Sequence, residues 1–168
     1  MEKIGEGSFG QVYKVLDKEN SRLLVLKKSK DEEDINIIEE AGIMKELSNT
    51  EGFRRVAENS MSLGKSILMN CLGNNLGSII RKNKKMNIFS MRKIAIQLIK
   101  RLQELHSLRY VHRDLKPENL VVGDKLDSHS IYLIDFGLVT PFRHKATRCR
   151  KIYNGLVGTA KFSPIASH

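Results

Sequence analysis

The chain has 168 residues, with 29 Lys and Arg against 19 Asp and Glu and a formal net charge of +10. This length suits one domain, and the sequence has neither an apolar run long enough to span a membrane nor an apolar N-terminal stretch typical of a secretory signal. Its two cysteines, Cys71 and Cys149, show no metal-ligand spacing and no disulfide framework, so we expect reduced thiols and a cytoplasmic and/or nuclear location.

A glycine-rich pattern, G-x-G-x-x-G-x-V, comes first and is formed by Gly5, Gly7, Gly10 and Val12. Ser8 and Phe9 lie at its tip. A dinucleotide site would place such glycines between a strand and a helix, whereas residues 11–15 alternate like a second strand. The pattern therefore favours a β-hairpin that covers phosphate groups, because backbone without a Cβ can approach phosphate closely.

Residues 24–27, L-V-L-K, predict a third strand that leads into two adjacent lysines. Side chains alternate across a strand, so only one of Lys27 and Lys28 can face the phosphate side. The register from the glycine hairpin favours Lys27. Without the flanking motifs, a solvated lysine pair would be the default interpretation.

An amphipathic helix is predicted over residues 31–47, which begin with D-E-E-D. Acidic residues in a first turn complement the positive end of the helix dipole. Gly42 in the helix interior should cost about 1 kcal/mol relative to alanine. The apolar positions of this helix are Ile35, Ile38, Met44 and Leu47.

Further along, residues 66–69 predict a buried strand, and residues 70–73, N-C-L-G, predict a hinge. A second helix is predicted over residues 90–107, where apolar side chains recur at helical spacing. We interpret it as a core helix without chemistry of its own. Its apolar positions are Met91, Ile94, Ala95, Leu98, Leu102 and Leu105.

Residues 112–119 read H-R-D-L-K-P-E-N, and a strand-like I-Y-L-I run then leads into D-F-G. Phosphoryl transfer needs an acceptor for a hydroxyl proton, a counter-charge for the moving phosphoryl group and ligands for magnesium. Asp114, Lys116, Asn119 and Asp135 supply all three. Taken singly, Asp114 is better explained as a turn cap and Asp135 as a solvated carboxylate. The full order and spacing is far more specific and indicates phosphoryl transfer from ATP.

These motifs resemble those of eukaryotic protein kinases, and within them the casein kinase 1 group. L-G-N-N-L at 72–76 is similar to that group's L-G-P-S-L, and G-T-A-K-F at 158–162 is similar to its G-T-A-R-Y. The resemblance covers nearly the whole chain and implies an α+β, two-lobed protein-kinase-like fold. An N-lobe sheet with one helix would occupy residues 1–69, followed by the hinge and an incomplete, mainly helical C-lobe at 74–168.

The resemblance also implies a role for each matching residue. Lys27 and Glu40 would form the ion pair that positions ATP, with Glu39 as the alternative partner for Lys27. Asp114 would be the catalytic base. Lys116 would steady the γ-phosphate, and a lysine at this position resembles serine/threonine rather than tyrosine kinases.

Mg²⁺ would be held by Asn119 and Asp135, and Thr159 matches the threonine that contacts the catalytic lysine and aspartate. Met69 would lie at the back of the adenine pocket, beside hinge backbone that holds the adenine edge. The residues that the resemblance assigns to ATP binding are Ile4, Gly5, Glu6, Gly7, Ser8, Phe9, Gly10, Val12, Val25, Lys27, Met69, Cys71, Leu72 and Val121.

Basic residues are concentrated at 81–85 and at 143–151. Such runs are usually solvated surfaces, but the second lies in the expected activation segment, where Arg143 and Lys145 can bind phosphate or acidic side chains. Protein substrates that are acidic or already phosphorylated would fit, as the group resemblance implies. Nucleic acid is a weaker alternative, because no binding motif or aromatic stacking pattern accompanies the charge.

Two departures from the group bear on activity. P-I-A at 164–166 replaces the group's S-I-N, and the chain ends at His168, where the group continues into further helices. We therefore expect a large exposed apolar face, low stability and weak activity for this polypeptide alone; a cooperative melt with normal turnover would refute this. Three function classes stay open, in this order: an active serine/threonine kinase, a catalytically silent kinase-like binding module, and a basic nucleic-acid-binding protein.

Overall fold

A four-stranded antiparallel sheet forms the first part of the fold. The computed structural model describes residues 1–7, 10–30, 35–57, 66–124, 127–141 and 157–163. The strands follow one another in sequence order as β1 (Glu2–Gly7), β2 (Gly10–Asp17), β3 (Arg22–Lys28) and β4 (Ser66–Asn70). β1 and β2 form the predicted glycine hairpin, whereas Ser8 and Phe9 at its tip lie outside the described residues.

The register of the sheet decides which side chains share a face. Val12 lies opposite Lys27, and Val25 lies opposite Met69. Opposed residues, and residues two apart along a strand, point to the same side. Val12, Val25, Lys27 and Met69 therefore lie on one face of the sheet, and Lys28, on the other face, is exposed.

The helix α1 (Ile35–Leu47) packs beside the sheet. Ile38, predicted to face the core, is instead 52% exposed, because the inward stripe runs through the neighbouring Ile37 with the 3.6-residue period. The acidic residues 31–34, expected in the first turn, lie outside the described residues. The side chains of this helix that are buried are Ile37, Glu40, Ala41, Ile43, Met44 and Leu47.

Two further helices follow residues 70–73, α2 (Leu76–Asn83) and α3 (Ile88–Ser107). Each begins at an asparagine whose side chain accepts a backbone hydrogen bond, a frequent N-terminal cap. The side-chain oxygen Oδ1 of Asn75 accepts from the backbone nitrogen of Ser78 at 2.8 Å. The side-chain oxygen Oδ1 of Asn87 accepts from the backbone nitrogen of Phe89 in the first turn of α3.

The interpretation of α3 as a core helix is confirmed for four of its six predicted apolar positions, since Leu105 lies in the core and Ile94, Leu98 and Leu102 pack against it. Arg101 and Leu105 are its buried residues, while Met91 and Ala95, predicted to face inward, are exposed. The large apolar side chains that this helix exposes are Ile88, Phe89, Met91, Ile96 and Ile99.

Short antiparallel pairs and two 3₁₀ turns follow α3. They are β5 (Tyr110–Val111) with β8 (Thr140–Pro141), β6 (Leu120–Val122) with β7 (Ile131–Leu133), and the turns Pro117–Asn119 and Ala160–Phe162. Backbone hydrogen bonds tie this part to the earlier one. Gly73 donates to the Val122 carbonyl at 2.9 Å, and Leu133 donates to the Gly52 carbonyl at 3.0 Å.

One buried cluster joins the two parts, since it contains Val25 and Met69 from the sheet together with Leu105 and Leu133. The predicted α+β class, an antiparallel sheet with one helix followed by a mainly helical part, is confirmed. Across the described ranges, no helix is both long enough and apolar enough to cross a membrane.

Replacing Gly42 by alanine should raise the free energy of unfolding by about 1 kcal/mol. A Cβ at this helical position would meet no atom within 4 Å, so the gain in helix propensity should not be offset by a clash. Chemical denaturation of both proteins measures the change. Gly52→Ala is the control: at φ +80° its Cβ would meet the Arg101 side chain, so this variant should be destabilised. A Gly42→Ala protein that is less stable than the original would contradict the finding that a Cβ at this helical position has open space.

Candidate active site

A buried lysine with two carboxylate partners lies where the sheet, α1 and the D-F-G turn meet. Lys27 Nζ donates to the two carboxylate oxygens of Glu40 at 2.8 and 2.7 Å and to Asp135 Oδ1 at 3.1 Å. Lys27 and Glu40 are both buried. Glu39, the alternative partner, is exposed, so the structure brings Glu40 and not Glu39 to Lys27.

Burial and pairing act against each other in this ion pair. Burial works against the charge of Lys27, but the carboxylates of Glu40 and Asp135 outweigh it and hold the lysine pKa above its ordinary value. Burial raises the pKa of Glu40, and the pairing with Lys27 limits that rise. Lys27 is therefore a firmly protonated cation.

The second cluster centres on Asp114, whose two carboxylate oxygens have separate partners. Lys116 Nζ donates to Oδ2 at 2.6 Å. Thr159 donates to Oδ1 through its hydroxyl at 2.7 Å and its backbone nitrogen at 2.9 Å. Lys116 Nζ also donates to Thr159 Oγ1 at 3.1 Å. Partial burial opposes the charge of Asp114, but the bonds from Lys116 and Thr159 outweigh it and lower its pKa.

Asn119 connects the two clusters. Its Nδ2 donates to the backbone oxygen of Asp114 at 2.9 Å and to Asp114 Oδ2 at 3.1 Å. Its backbone oxygen accepts from Ile134, next to Asp135, at 3.0 Å. These bonds use the amide nitrogen of Asn119, and the other polar atom of its side chain is an amide oxygen, which is an atom type that binds metal ions.

These residues fit a magnesium ion. The Asn119 amide oxygen and the half-buried Asp135 carboxylate are hard oxygen donors, and Mg²⁺ uses one or two such protein ligands together with phosphate oxygens and water. Within the described part of the chain no group of three or more His, Cys, Asp or Glu side chains could hold a metal.

Two residues of these turns have left-handed backbone, Arg113 at φ 65° and Asp135 at φ 67°. Such conformations cost about 1–3 kcal/mol each and cluster at functional sites. Arg113 Nε donates to the Leu138 carbonyl at 2.7 Å, which ties the two turns together. Gly158, at φ +97°, lies so close to the Arg113 carbonyl that a Cβ would clash.

His112 was not assigned a role from the sequence, although it opens the octet. Its side chain is buried, and its Nδ1 accepts from the Asp114 backbone at 3.3 Å. Nε2 lies 3.1 Å from the Ile134 carbonyl. These partners define a neutral imidazole with its proton on Nε2. The ring also packs against Phe136, with centroids 5.6 Å apart, so His112 supports Asp114 and the D-F-G turn together.

The residues expected to surround a nucleotide are placed as follows. Val25, Met69 and Val121 are buried, whereas Ile4 is half exposed; Val12, Cys71 and Leu72 are partly buried. Gly5 and Gly7 lie opposite Val12 and Gly10 across the hairpin.

Glu6 forms ion pairs with Lys3 and Lys30, and the hydrogen bonds from these lysines lower the pKa of Glu6 to about 2. Arg143 and Lys145, like Ser8 and Phe9, lie outside the described residues.

A lysine–glutamate pair next to a D-F-G turn, together with a loop aspartate bonded to a lysine, is the arrangement that protein kinases use for phosphoryl transfer. The sequence matches the protein kinase domain over residues 1–164. The chain belongs to the protein kinase family.

Two relatives illustrate the match. A protein of Dictyostelium discoideum named as a probable serine/threonine-protein kinase is 31% identical over 179 residues, covering 100% of this chain and 35% of the relative. A protein of Caenorhabditis elegans that carries a casein kinase I name is 29% identical over 175 residues, covering 98% of this chain and 51% of the relative. The chain thus spans between a third and about half of the length of these relatives.

The stability of the fold should fall as the pH drops below the usual histidine pKa of 6.5, because burial lowers the pKa of His112 in the folded state. The unfolded chain then binds the proton more readily, and stability is lost by at most about 1.4 kcal/mol per pH unit. Thermal melts from about pH 7.5 to about pH 5.5 measure this loss. His112→Gln, which keeps a side-chain donor, should show a smaller loss over the same range. An identical pH dependence in the two proteins would contradict the prediction.

Proposed function

We propose that this chain is the catalytic part of a serine/threonine protein kinase of casein kinase 1 type, which transfers the γ-phosphate of ATP to hydroxyl groups of protein substrates. The single observation that supports it most is the joint placement of two clusters, Lys27 with Glu40 and Asp135, and Asp114 with Lys116 and Thr159. They are linked through Asn119, so every group that phosphoryl transfer requires is present in one site.

Asp114 is the proposed catalytic base. Its lowered pKa keeps the carboxylate ionised at neutral pH, and the bonds from Lys116 and Thr159 fix its orientation. A substrate hydroxyl that approaches the carboxylate loses its proton as the oxygen attacks phosphorus. Lys116 supplies positive charge beside the transferred group, where negative charge is distributed over the phosphoryl oxygens.

Lys27 is proposed to bind the α- and β-phosphates of ATP. Its partner Glu40 holds the ammonium group in place, since both side chains are buried and joined by two short hydrogen bonds. Asn119 and Asp135 would hold Mg²⁺, which when bound neutralises charge on the phosphate oxygens. Val12, Val25 and Met69 share the sheet face of Lys27, as an apolar adenine pocket needs.

The finer assignments have separate support. Lys116 two residues after Asp114 suits a serine/threonine kinase, and the segments 72–76 and 158–162 suit the casein kinase 1 group. A preference for acidic or phosphorylated protein substrates rests on the basic run at 143–151, which lies outside the described residues. We further propose that residues 70–73 are a hinge between an N-lobe at 1–69 and the helical part that follows.

Glu40→Gln should lower phosphate transfer by about 10²-fold, because Lys27 would lose the charge that positions it against ATP. Glu39→Gln is the matched control: it makes the same change on the neighbouring, exposed residue and should leave transfer within about twofold of the original rate. Radiolabel transfer and thermal melts of each variant separate a positioning effect from unfolding. Equal losses in the two variants would refute the assignment of Glu40.

The proposed activity is tested by transfer of labelled γ-phosphate from Mg-ATP to casein, an acidic protein. Asp114→Asn should reduce transfer by about 10²–10⁴-fold, and Asp135→Asn should abolish it; thermal melts of both variants show whether each is folded at the assay temperature. Acidic and neutral serine peptides, compared with tyrosine peptides, then test the substrate class. A folded original chain that transfers no phosphate would instead favour a silent kinase-like binding module.

A further inference from the structure

Arg101 is a buried charge that the proposed chemistry does not use directly. It lies on α3 and is 3% exposed. Its Nε donates to the Ile131 carbonyl at 3.2 Å, and its Nη2 donates to Glu51 Oε1 at 2.7 Å. One side chain therefore joins three segments of the chain: α3, the loop that follows α1, and the first residue of β7.

Gln97 holds the other backbone group of Ile131. Its Oε1 accepts from the Ile131 backbone nitrogen at 2.8 Å, and its Nε2 donates to the His129 carbonyl at 3.0 Å. Residues four apart lie on the same face of a helix, so Gln97 and Arg101 act from one face of α3. Together they bind the N–H and the carbonyl of Ile131 and fix the start of β7 relative to α3.

The loop after α1 lies directly against the Arg101 side chain. Gly52 has φ +80°, and a Cβ at this position would overlap the Arg101 guanidinium. The Gly52 carbonyl accepts from the Leu133 backbone nitrogen at 3.0 Å, and Phe53 forms a parallel bridge with Leu133. Arg101 thus supports the place where this loop and β7 meet.

Both segments lead to the carboxylates that hold Lys27. The loop follows α1, which carries Glu40, and β7 runs into the turn that carries Asp135. Glu40 and Asp135 each accept a hydrogen bond from Lys27 Nζ. The position of the loop relative to β7 therefore affects the geometry of the three charged groups around Lys27.

We propose that Arg101 is a positioning residue of the phosphoryl-transfer site, which holds the loop after α1 against β7 and so sets the place of Glu40 relative to Asp135. The inference rests on the proposed function, because Mg-ATP is the ligand that these groups are proposed to bind. A guanidinium presents several donors in a planar fork, whereas a lysine ammonium is a single point charge. Lysine at this position would keep the charge and lose the double connection.

The first test compares the KM values of the original chain and Arg101→Lys, at a temperature at which thermal melts show both to be folded. Arg101→Lys should raise the KM for ATP by about tenfold and leave the KM for casein unchanged. Loss of folded protein would lower the apparent kcat without this change in KM. Arg92→Lys makes the same change at an exposed residue of α3 and should leave both KM values as they are.

Acetylation of Lys27 by sulfosuccinimidyl acetate tests the positioning without nucleotide and without activity. The reagent needs a neutral amine, and the two carboxylates favour the charged form of the buried Lys27. Arg101→Lys should therefore raise the labelling of Lys27 severalfold relative to the exposed Lys28. Peptide mass spectrometry with fragmentation reads the two lysines separately.

Glu51→Ala provides a variant that does not alter a buried residue, since the Glu51 side chain is 77% exposed. It removes one of the two connections of Arg101, so the KM for ATP and the labelling of Lys27 should both rise, by less than in Arg101→Lys. Glu46→Ala changes an exposed glutamate of α1 and should have no effect on either quantity.

The outcomes separate this inference from the proposed function. If the original chain transfers no phosphate, the proposed function fails, and the labelling of Lys27 alone decides the role of Arg101. If Arg101→Lys does not fold, Glu51→Ala decides it. An unchanged KM for ATP together with unchanged labelling of Lys27 in the folded variants would show that Arg101 has a structural role only and would overturn the inference.

Discussion

The ion pair between Lys27 and Glu40 is the interaction on which the arrangement of the site depends. It joins β3 to α1, and the additional bond to Asp135 brings in the turn that follows β7. Burying one unpaired charge is costly, and removing one member of a buried pair typically costs 3–5 kcal/mol. The strand β3, the helix α1 and the turn after β7 must therefore come together before the charges of Lys27, Glu40 and Asp135 are stabilised. This requirement restricts the relative positions of the three elements.

The loop around Asp114 follows a different physical principle. Asp114 is bonded on both oxygens and lies beside a neutral histidine, so several hydrogen bonds together fix its position. His112 links this loop to the carbonyl of Ile134, one residue before Asp135. Backbone groups and one imidazole thus connect the two clusters. The strained, left-handed backbone of Arg113 and Asp135 lies beside these connecting groups.

Local patterns were sufficient to predict the glycine hairpin and the other two strands of the four-stranded sheet, because each depends on spacing within a few residues. Ile38 shows the limit of such patterns. Ile37 and Ile38 are adjacent and identical in type, so local sequence does not decide which of them is buried, and in the structure Ile37 is buried. The N-terminal part of α3 was predicted as core because periodicity shows which face is apolar and not whether a partner covers it. Arg101 and Arg54 carried no local signal, since their burial depends on residues tens of positions away.

Lys27 is a buried cation and Arg54 a partly buried one, and the two differ in their partners. Lys27 has two carboxylate partners, which offset its desolvation and raise its pKa. Arg54 has a sulfur neighbour and an unbonded Nε, and its pKa is lowered. Replacing a buried ion by an apolar residue of similar size is often neutral or stabilising, so stability alone does not explain an arginine at this position.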